Sequence, residues 1–549
     1  MKICCILAVF AALPLAAAEP AGVLIEKLLD RIVERERVFL TTIQTRTPLV
    51  ETYIQETPED NAAAARPTKD HYFLGRFRLG DAVTYEPLVE RTDAPPSGSN
   101  SWLPFRSDAA KNRPLTFLPR GFAQMAVIDL RDFNRQTYRF EYVRREFLGE
   151  IRCLVFEVVP VNRQQAGKFV GRMWVEDRDD AIVRFNGTYV QAPAAKSARS
   201  ERYFHFDSWR VNAGGALWVP AQIYVEEEAT PGRGKARATP HFKAQTRIWD
   251  YAAAPSRKID ELTSILVDSE SGLTDRDAPK DVSPLESQRS WERQAEENLL
   301  ARLEKGGFLA PPGRVEEVLN SVVSNLIVSA KLNVEAHCRV LLTTPFETFA
   351  IGRTIVISRG LIDVLPDESS LALALASELA HIALGQRTPT QFAFNNQTML
   401  SDFDLLQRFH FARPAAEALA ASEKAIAIMH ESPYRNTANA GLFLKALSSH
   451  EAALPRLLQA TLGDQVADPQ TLARLAAIAA SAPPLEEDKL EQIAALPLGS
   501  RVKVDPWSNQ LDLVKTRPLA LLAPREKMPF EVTPFALYLR RSEAASASK

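Results

Sequence analysis

The sequence predicts an α+β protein of several domains: an antiparallel β-sheet domain with one helix, a mostly helical domain with a small sheet, and a β-rich C-terminal segment. Runs of alternating apolar and polar residues, joined by short polar turns, fill the first half of the chain. A stretch rich in Asp, Ser and Pro follows, and beyond it apolar residues recur at helical spacing. A chain of 549 residues is also too long for a single core.

The first twenty residues, MKICCILAVFAALPLAAAEP, have the pattern of a secretory signal peptide. One lysine precedes an apolar run from Ile3 to Leu15, and three small residues end at Ala18. The run is shorter than the roughly 20 residues that a membrane-spanning helix needs. Residues 1–18 are therefore predicted to be removed, and the mature protein is predicted to be exported, either periplasmic or extracellular.

Residues 19–255 are predicted to form the β-rich N-terminal domain. Apolar residues recur at helical spacing from Val23 to about Leu40. Residues 56–113 are polar and rich in proline, which predicts long loops. The strands beyond them form hairpins with turns at Leu148–Gly149, Asp177–Asp180 and Asn212–Gly215. Such consecutive hairpins indicate an antiparallel meander with one solvated face.

The remaining boundaries follow from changes in composition. Residues 256–288 are predicted to be an interdomain linker because Asp, Ser and Pro dominate them. Residues 289–480 carry mainly helical patterns, with short strand patterns between them. Residues 481–549 are an extended segment with a hairpin at Asp505-Pro506, which is predicted to pack back on the body of the protein.

The charge balance favours no charged partner. The net charge is −2, so the chain offers no basic field to nucleic acid, and no nucleic-acid partner is expected. No second apolar run is long enough to span a bilayer, so no stable transmembrane segment is expected after signal cleavage. Cys153 and Cys338 remain in the mature chain, in different predicted domains, and we do not expect a disulfide between them.

One hairpin in the N-terminal domain resembles a known carrier family. The segment GRMWVEDRDDAIVRF, residues 171–185, has a G-x-x-W-[VI]-[DE] pattern. It resembles the half-barrel sheets of Lol-type lipoprotein carriers. The resemblance implies a concave sheet that holds an acyl chain or an extended peptide.

A second resemblance concerns the stretch LALALASELAHIALGQ and the residues before it. Thr348–Ala350, Gly352, Ser358–Leu361 and Ser377–His381 follow the order of an edge strand, a turn, a T-R-G-L-L segment and an H-E-x-x-H helix. Residues 290–450 thus resemble peptidase family M forty-eight, the gluzincin zinc metallopeptidases that include HtpX-like and CAAX prenyl proteases. The resemblance implies a metallopeptidase-like domain with a small sheet beside the active-site cleft.

The zinc site that this resemblance implies is degenerate. In H-E-x-x-H, two histidines one helical turn apart bind Zn²⁺, and the glutamate activates the bound water. His381 occupies the second ligand position and Glu378 the general-base position. Ser377 occupies the first ligand position, and a neutral hydroxyl is a poor zinc ligand beside imidazole or carboxylate.

The third zinc ligand of the family is a glutamate on a later helix. In the preferred alignment of residues 420–425 with the family's motif, which we call the preferred register, Ala420 stands at the position of this glutamate. The third ligand is then lost as well as the first. In a second register Glu423 is the ligand, and Glu417, one turn upstream of Ala420, is another substitute. The preferred register leaves His381 as the only one of the three protein ligands. Because a catalytic zinc site needs three protein ligands, this register predicts an inactive site.

We therefore expect a pseudopeptidase that binds a peptide or protein in the cell envelope and needs no cofactor. In the family, a peptide adds as a strand to the edge of the small sheet, a surface that can outlast the loss of metal. Two alternatives stay open. One is an active zinc metalloendopeptidase that recruits Glu417 or Glu423 as substitute ligand, and the other is a carrier of lipid or lipoprotein through the N-terminal sheet.

Overall fold

The structure is a computed structural model of the whole chain. It describes residues 21–58, 66–91, 117–191, 203–228, 241–252, 284–389, 393, 401–466, 469–487, 489, 491–514 and 530–542. The predicted signal peptide, 1–18, lies outside the described residues, and so does the predicted linker up to residue 283. The predicted domain boundaries remain predictions.

The described part of the N-terminal half, within residues 21–252, contains ten strands and two helices. The strands are β1 Leu49–Thr57, β2 Lys69–Leu79, β3 Val83–Arg91, β4 Tyr138–Leu148, β5 Ile151–Pro160, β6 Phe169–Glu176, β7 Ala181–Tyr189, β8 Phe206–Gly214, β9 Leu217–Glu227 and β10 His241–Trp249. The helices are α1 Ala21–Gln44 and α2 Pro119–Gln124. All strands form one antiparallel sheet in the order β3-β2-β1-β10-β9-β8-β7-β6-β5-β4. The predicted antiparallel meander and its three hairpins are thus present.

Helix α1 lies against one face of this sheet. Its apolar residues, among them Ile32 and Phe39, share a buried core with sheet residues such as Phe73. The same face holds one ion pair, in which Arg210 donates from Nη1 and Nη2 to the two carboxylate oxygens of Glu36, at 2.7 and 2.6 Å. Both side chains are about 1% exposed, so this bidentate pair fixes α1 over the sheet.

The prediction of loops over residues 56–113 is wrong in its first part, because β2 and β3 lie there. In β2 the side chains of Phe73 and Phe77 point into the core under α1, whereas Tyr72 and Leu74 belong to a second core on the opposite face. A strand that is buried on both faces does not alternate between apolar and polar residues. Its sequence therefore lacks the pattern by which the other strands are recognised.

The C-terminal half, residues 284–542, is mostly helical and contains two small sheets. Its elements are α3 Pro284–Lys305, α4 Arg314–Ser329, β11 His337–Leu341, β12 Glu347–Ile351, β13 Thr354–Ser358, α5 Arg359–Val364, α6 Glu368–Ala383, α7 Asp402–Arg408, α8 Ala415–Glu431, α9 Ala438–His450, α10 Pro455–Leu458, β14 Asp464–Gln465, α11 Pro469–Arg474, α12 Ala476–Ser481, β15 Val502–Val504 and β16 Leu511–Leu513. The first sheet has the order β11-β13-β12-β14. Together with the N-terminal half, this is the mixed α+β architecture that the sequence predicts.

The two halves share one continuous apolar core. Leu49, Tyr53 and Tyr72 of the large sheet pack with the buried residues of the C-terminal half. A buried polar group, which we call the interface cluster (Glu51, Tyr72, Thr344 and Arg359), lies at this junction. Glu51 Oε1 accepts from the Thr344 backbone N–H at 2.6 Å and the Tyr72 hydroxyl at 3.0 Å. Glu51 Oε2 accepts from Thr344 Oγ1 at 2.7 Å and Arg359 Nη2 at 2.8 Å.

The C-terminal segment packs back on the body, as predicted, but it is less regular than expected. The predicted hairpin is present as β15 and β16, which are three residues each. Residues 531–542 are extended without belonging to a sheet, and Leu537 and Leu539 are buried against Trp174 and Trp209. Among the described residues, no helix is both long and apolar enough to cross a membrane.

Candidate functional site

Helix α6 carries the residues of the predicted site. It begins where the Asp367 carboxylate accepts from the Ser370 backbone N–H at 2.9 Å, and it extends to Ala383. Ser377, Glu378 and His381 all line one cavity, which has a volume of about 70 Å³. All three side chains therefore lie on the side of α6 that faces this cavity.

Ser377 occupies the position at which the resemblance requires a histidine. Its Oγ donates to the backbone carbonyl of Leu373, one turn earlier in the same helix, at 3.0 Å. This local bond is common for serine within helices, and it uses the only proton that the hydroxyl can donate.

Glu378 is buried, with about 2% of its surface exposed. Its Oε1 accepts from the Thr348 hydroxyl of β12 at 2.6 Å, whereas its Oε2 has no hydrogen-bond partner among the described residues. Burial, assisted by the nearby Asp464 carboxyl, raises the pKa of Glu378 well above its usual range. An unpaired carboxylate oxygen in this position makes the ionised form costly.

His381 is held by a chain of two hydrogen bonds. Gln386 donates from Nε2 to the backbone carbonyl of Glu417 at 3.1 Å, and this turns its Oε1 toward His381 Nδ1. A ring nitrogen that faces a carbonyl oxygen must carry the proton, so Nδ1 donates and Nε2 keeps its lone pair. Burial lowers the pKa of His381, which favours this neutral imidazole.

Asp464 completes the group and was not predicted from the sequence. It lies on β14, opposite Thr348 of β12, and its Oδ1 accepts from the Arg413 backbone N–H at 3.0 Å. Burial raises the pKa of Asp464. Glu378, His381 and Asp464 each place one potential ligand atom within 4.8 Å of the others. We call these three residues the cavity cluster.

The residues of helix α8 are placed differently from the preferred register. Ala420 and Glu423 are exposed, whereas Ala418 and Ser422 line the cavity. Glu417 is half-buried, and its backbone carbonyl supports Gln386. The side that α8 turns to the cavity thus carries a methyl group and a hydroxyl, and the second carboxyl of the cavity cluster comes from β14, not from α8.

The segment around Asp464, residues 461–466, covers the edge of the small sheet, and we call it the strap. Glu347 Oε2 accepts from the backbone N–H groups of Thr461, Leu462 and Gly463, at 3.0, 2.7 and 3.0 Å. The strap residues Asp464 and Gln465 then pair with Thr348 and Glu347 of β12.

Other side chains cover the rest of the β12 edge. The Ala350 carbonyl accepts from Arg413 Nη2 at 3.3 Å, and the Gly352 N–H donates to Thr388 Oγ1 at 2.7 Å. An added peptide strand needs a sheet edge with open backbone groups. The resemblance implies that a peptide adds as a strand to β12, and this would require the strap to detach from β12 first.

Comparisons with known proteins give no family for this chain. No protein-family model matches the sequence, and no curated protein matches it. Among solved structures, a LolA superfamily protein from Nitrosomonas europaea matches with 17% identity, covering 41% of this chain and 91% of that chain, with a TM-score of 0.20. A DUF1329 family protein from Desulfovibrio piger matches with 15% identity, the same coverages and a TM-score of 0.22.

A third match is the Pseudomonas aeruginosa MucA/MucB complex, with 9% identity over 40% of this chain and 93% of that chain, and a TM-score of 0.13. TM-scores this low do not establish a shared fold. None of these comparisons supports membership of peptidase family M forty-eight.

Proposed function

We propose that this protein is an exported binding protein of the cell envelope, and that its C-terminal half is a pseudopeptidase. One observation carries the proposal: the chain's own strap pairs with the sheet edge at which a gluzincin would place its substrate and forms a wall of the cavity beside it. The strap is held by three backbone hydrogen bonds to Glu347, which is itself fully buried. A substrate peptide would have to replace these bonds before it reached Glu378.

The chemistry of the helix supports the same proposal. Water activation by a gluzincin needs a metal held by histidine and an adjacent carboxylate that acts as base. Here the Ser377 hydroxyl is bonded to its own helix, and Glu378 is bonded to Thr348 and lies against Asp464. A second carboxyl beside the base disfavours its ionised form, which is the form that removes a proton from water.

The ligand is proposed to bind to the N-terminal half. The large sheet and α1 enclose an extended apolar interior, and a cavity of about 210 Å³ opens between α1 and strands β7 to β9. Val38, Phe39, Ile182 and Leu217 line it, and the Glu36–Arg210 pair lies at its wall. The apolar lining suits part of an acyl chain, and the Glu36–Arg210 pair beside it could contact a polar group of the same lipid. The proposed cargo is therefore a lipid or lipoprotein acyl chain.

The peptidase part of the proposal is tested with the mature full-length chain and a labelled unfolded protein such as reduced casein, with and without added zinc. We expect no cleavage above that of the Glu378→Gln variant, because the strap occupies the sheet edge to which a substrate would pair. Cleavage that a chelator stops and that Glu378→Gln abolishes would overturn this part and establish the metalloendopeptidase alternative.

The cargo is tested by extracting lipids from the purified mature chain and identifying acyl chains by mass spectrometry. Val38→Trp puts a large ring into the cavity and should reduce the acyl content several-fold. Ile25→Trp is the matched control, because Ile25 lies on the same helix and is similarly exposed, 40% against 46% for Val38. A natural protein that carries no acyl chain, or equal loss in both variants, would contradict the carrier role.

A further inference from the structure

We propose that the cavity cluster is a binding site for one divalent transition-metal ion, with Zn²⁺ as the best fit, and that the ion fastens the strap to helix α6. Its donors are a Glu378 oxygen, His381 Nε2 and an Asp464 oxygen. This set differs from that of a gluzincin, in which the helix glutamate stays off the metal and acts as base. The inference does not depend on the carrier role, since the C-terminal half could bind metal whatever the N-terminal half binds.

The donor atoms suit zinc in kind and in spacing. One imidazole and two carboxylates are common zinc ligands, with Zn–N and Zn–O distances of about 2.0–2.2 Å. Ligands on a tetrahedral ion then lie roughly 3.4 Å apart. The three donors here already lie within 4.8 Å of one another, so a shift of about 1 Å in each side chain brings them onto one ion.

The buried oxygen of Glu378 points independently to a ligand. Glu378 Oε2 has no hydrogen-bond partner among the described residues, although the side chain is only 2% exposed and lines the cavity. Leaving a buried carboxylate oxygen unpaired costs free energy that a folded chain normally avoids. A cation in the cavity would satisfy this oxygen directly.

Each of the three ligands is also held by a neighbour in the way that metal ligands usually are. Thr348 donates to the other oxygen of Glu378, the Gln386 amide oxygen accepts a hydrogen bond from His381 Nδ1, and the Arg413 backbone N–H donates to Asp464. Such outer hydrogen bonds fix the tautomer of the histidine and the direction of each carboxylate. They leave His381 Nε2 as the ring nitrogen with a free lone pair.

The cavity has room for the ion and for its fourth ligand. Its volume of about 70 Å³ exceeds the ~10–15 Å³ that one water molecule needs. Two buried carboxylates would be neutralised by one divalent cation, which removes their mutual repulsion. Because Asp464 belongs to the strap and the other two ligands to α6, the bound ion would join the strap to the helix.

The test measures zinc bound to the mature full-length chain after treatment with a chelator, by calorimetric titration and by metal analysis after gel filtration. We expect one zinc per chain. Asp464→Asn and His381→Ala should each weaken binding by at least about 100-fold, since losing a ligand costs more than losing an outer partner. Thr348→Val, which removes an outer partner, should weaken it by about 10- to 100-fold. Glu423→Gln changes an exposed carboxylate on α8 and should change nothing.

A second readout separates the site from a folding defect. Co²⁺ in a site with nitrogen and oxygen donors gives visible absorption bands, which should appear in the natural chain and be lost in Asp464→Asn. Circular dichroism identifies variants that have unfolded, and these are replaced by Asp464→Ser. Absence of stoichiometric zinc, or zinc affinity unchanged in Asp464→Asn, would overturn the proposal. Neither result would bear on the casein or lipid experiments, so the two proposals fail separately.

Discussion

The interface cluster and the cavity cluster each contain a buried glutamate, Glu51 and Glu378, that is about 2% exposed and accepts a hydrogen bond from a threonine hydroxyl. The two glutamates differ in how many of their carboxylate oxygens have hydrogen-bond partners. In the interface cluster, each oxygen of Glu51 accepts two hydrogen bonds and Arg359 neutralises the charge. In the cavity cluster, Glu378 has one hydrogen bond, one unpaired oxygen and a second carboxyl nearby. A buried carboxylate that is fully paired holds the fold together, whereas one left incomplete marks a place for a ligand.

The largest expected effect comes from breaking the paired cluster. Arg359→Met removes the cation from Glu51 and leaves its charge buried, which should lower the free energy of unfolding by about 3–5 kcal/mol. The measurement is the urea midpoint of the mature chain. The control is Arg353→Met, because the Arg353–Glu335 pair has side chains 66% and 77% exposed and should matter little. Equal shifts of the urea midpoint in both variants would show that burial does not determine how much each ion pair contributes to stability.

Asp70 is an intermediate case and gives a pH test. Its carboxylate accepts from the backbone N–H groups of Arg456 and Leu457 and from the Tyr53 hydroxyl, at 2.8 to 3.1 Å, but burial outweighs these bonds and raises its pKa to about 6. A raised folded-state pKa means that stability is present below about pH 4 and is lost as the pH rises through about 6.

The variant Asp70→Asn cannot ionise and should lack this loss. Relative to the natural chain, it should gain about 2–3 kcal/mol in unfolding free energy between pH ~4 and neutral pH. Urea midpoints of both proteins across this range provide the measurement. A stability difference that does not change with pH would show that the pKa of Asp70 is not raised.

The strap that completes the cavity cluster depends on one glycine. A Cβ at Gly463 would lie 2.4 Å from the Thr348 carbonyl oxygen and 2.5 Å from a ring carbon of Phe349, so Gly463→Ala should push the strap off β12. We expect a loss of about 1–3 kcal/mol in thermal unfolding experiments. Gly121→Ala, where a Cβ would meet nothing within 4 Å, should be neutral or slightly stabilising. A neutral Gly463→Ala would contradict the tight fit of the strap.

The smallest effect is also the most direct test of the comparison. In metal-free protein at alkaline pH, Glu378→Gln removes an unpaired buried charge and should stabilise the chain by about 1 kcal/mol. The same substitution at Glu51 removes a paired charge and weakens the hydrogen bonds that Glu51 accepts from Arg359, Thr344 and Tyr72, so it should destabilise. The urea midpoints of both variants provide the measurement, and changes of the same sign would remove the distinction between the two clusters.

The parts that the sequence predicts well are those with a local pattern. The hairpins of β4 to β9 alternate regularly, and the α6 stretch from Leu371 places Glu378 and His381 one turn apart. Strand β2 was missed because both of its faces are buried. The register of α8 remains a prediction, because Ala421 and Ala425 are buried while Ala420 is exposed, and a helix so rich in alanine does not show in its sequence which face is inward.

Asp464 had almost no local signal in the sequence. It belongs to a strand of two residues, and only the tertiary fold brings it beside a helix more than eighty positions earlier in the chain. An aspartate in a segment without helical or strand periodicity cannot be distinguished from an ordinary loop residue by its sequence. The weak signal that was available is Gly463, directly before Asp464, since a glycine in such a position often marks a close approach of the backbone to a neighbouring segment.

The Glu51–Arg359 hydrogen bond joins residues 308 positions apart, and it has a cost during biosynthesis. A chain made from its N-terminus produces strands β1 and β2 long before the segment that covers them. Until then the apolar face that carries Tyr53, Tyr72 and Leu74 has no cover. Such a face is prone to pair with other unfinished chains. A fragment that ends near residue 255 keeps this face exposed and should therefore aggregate.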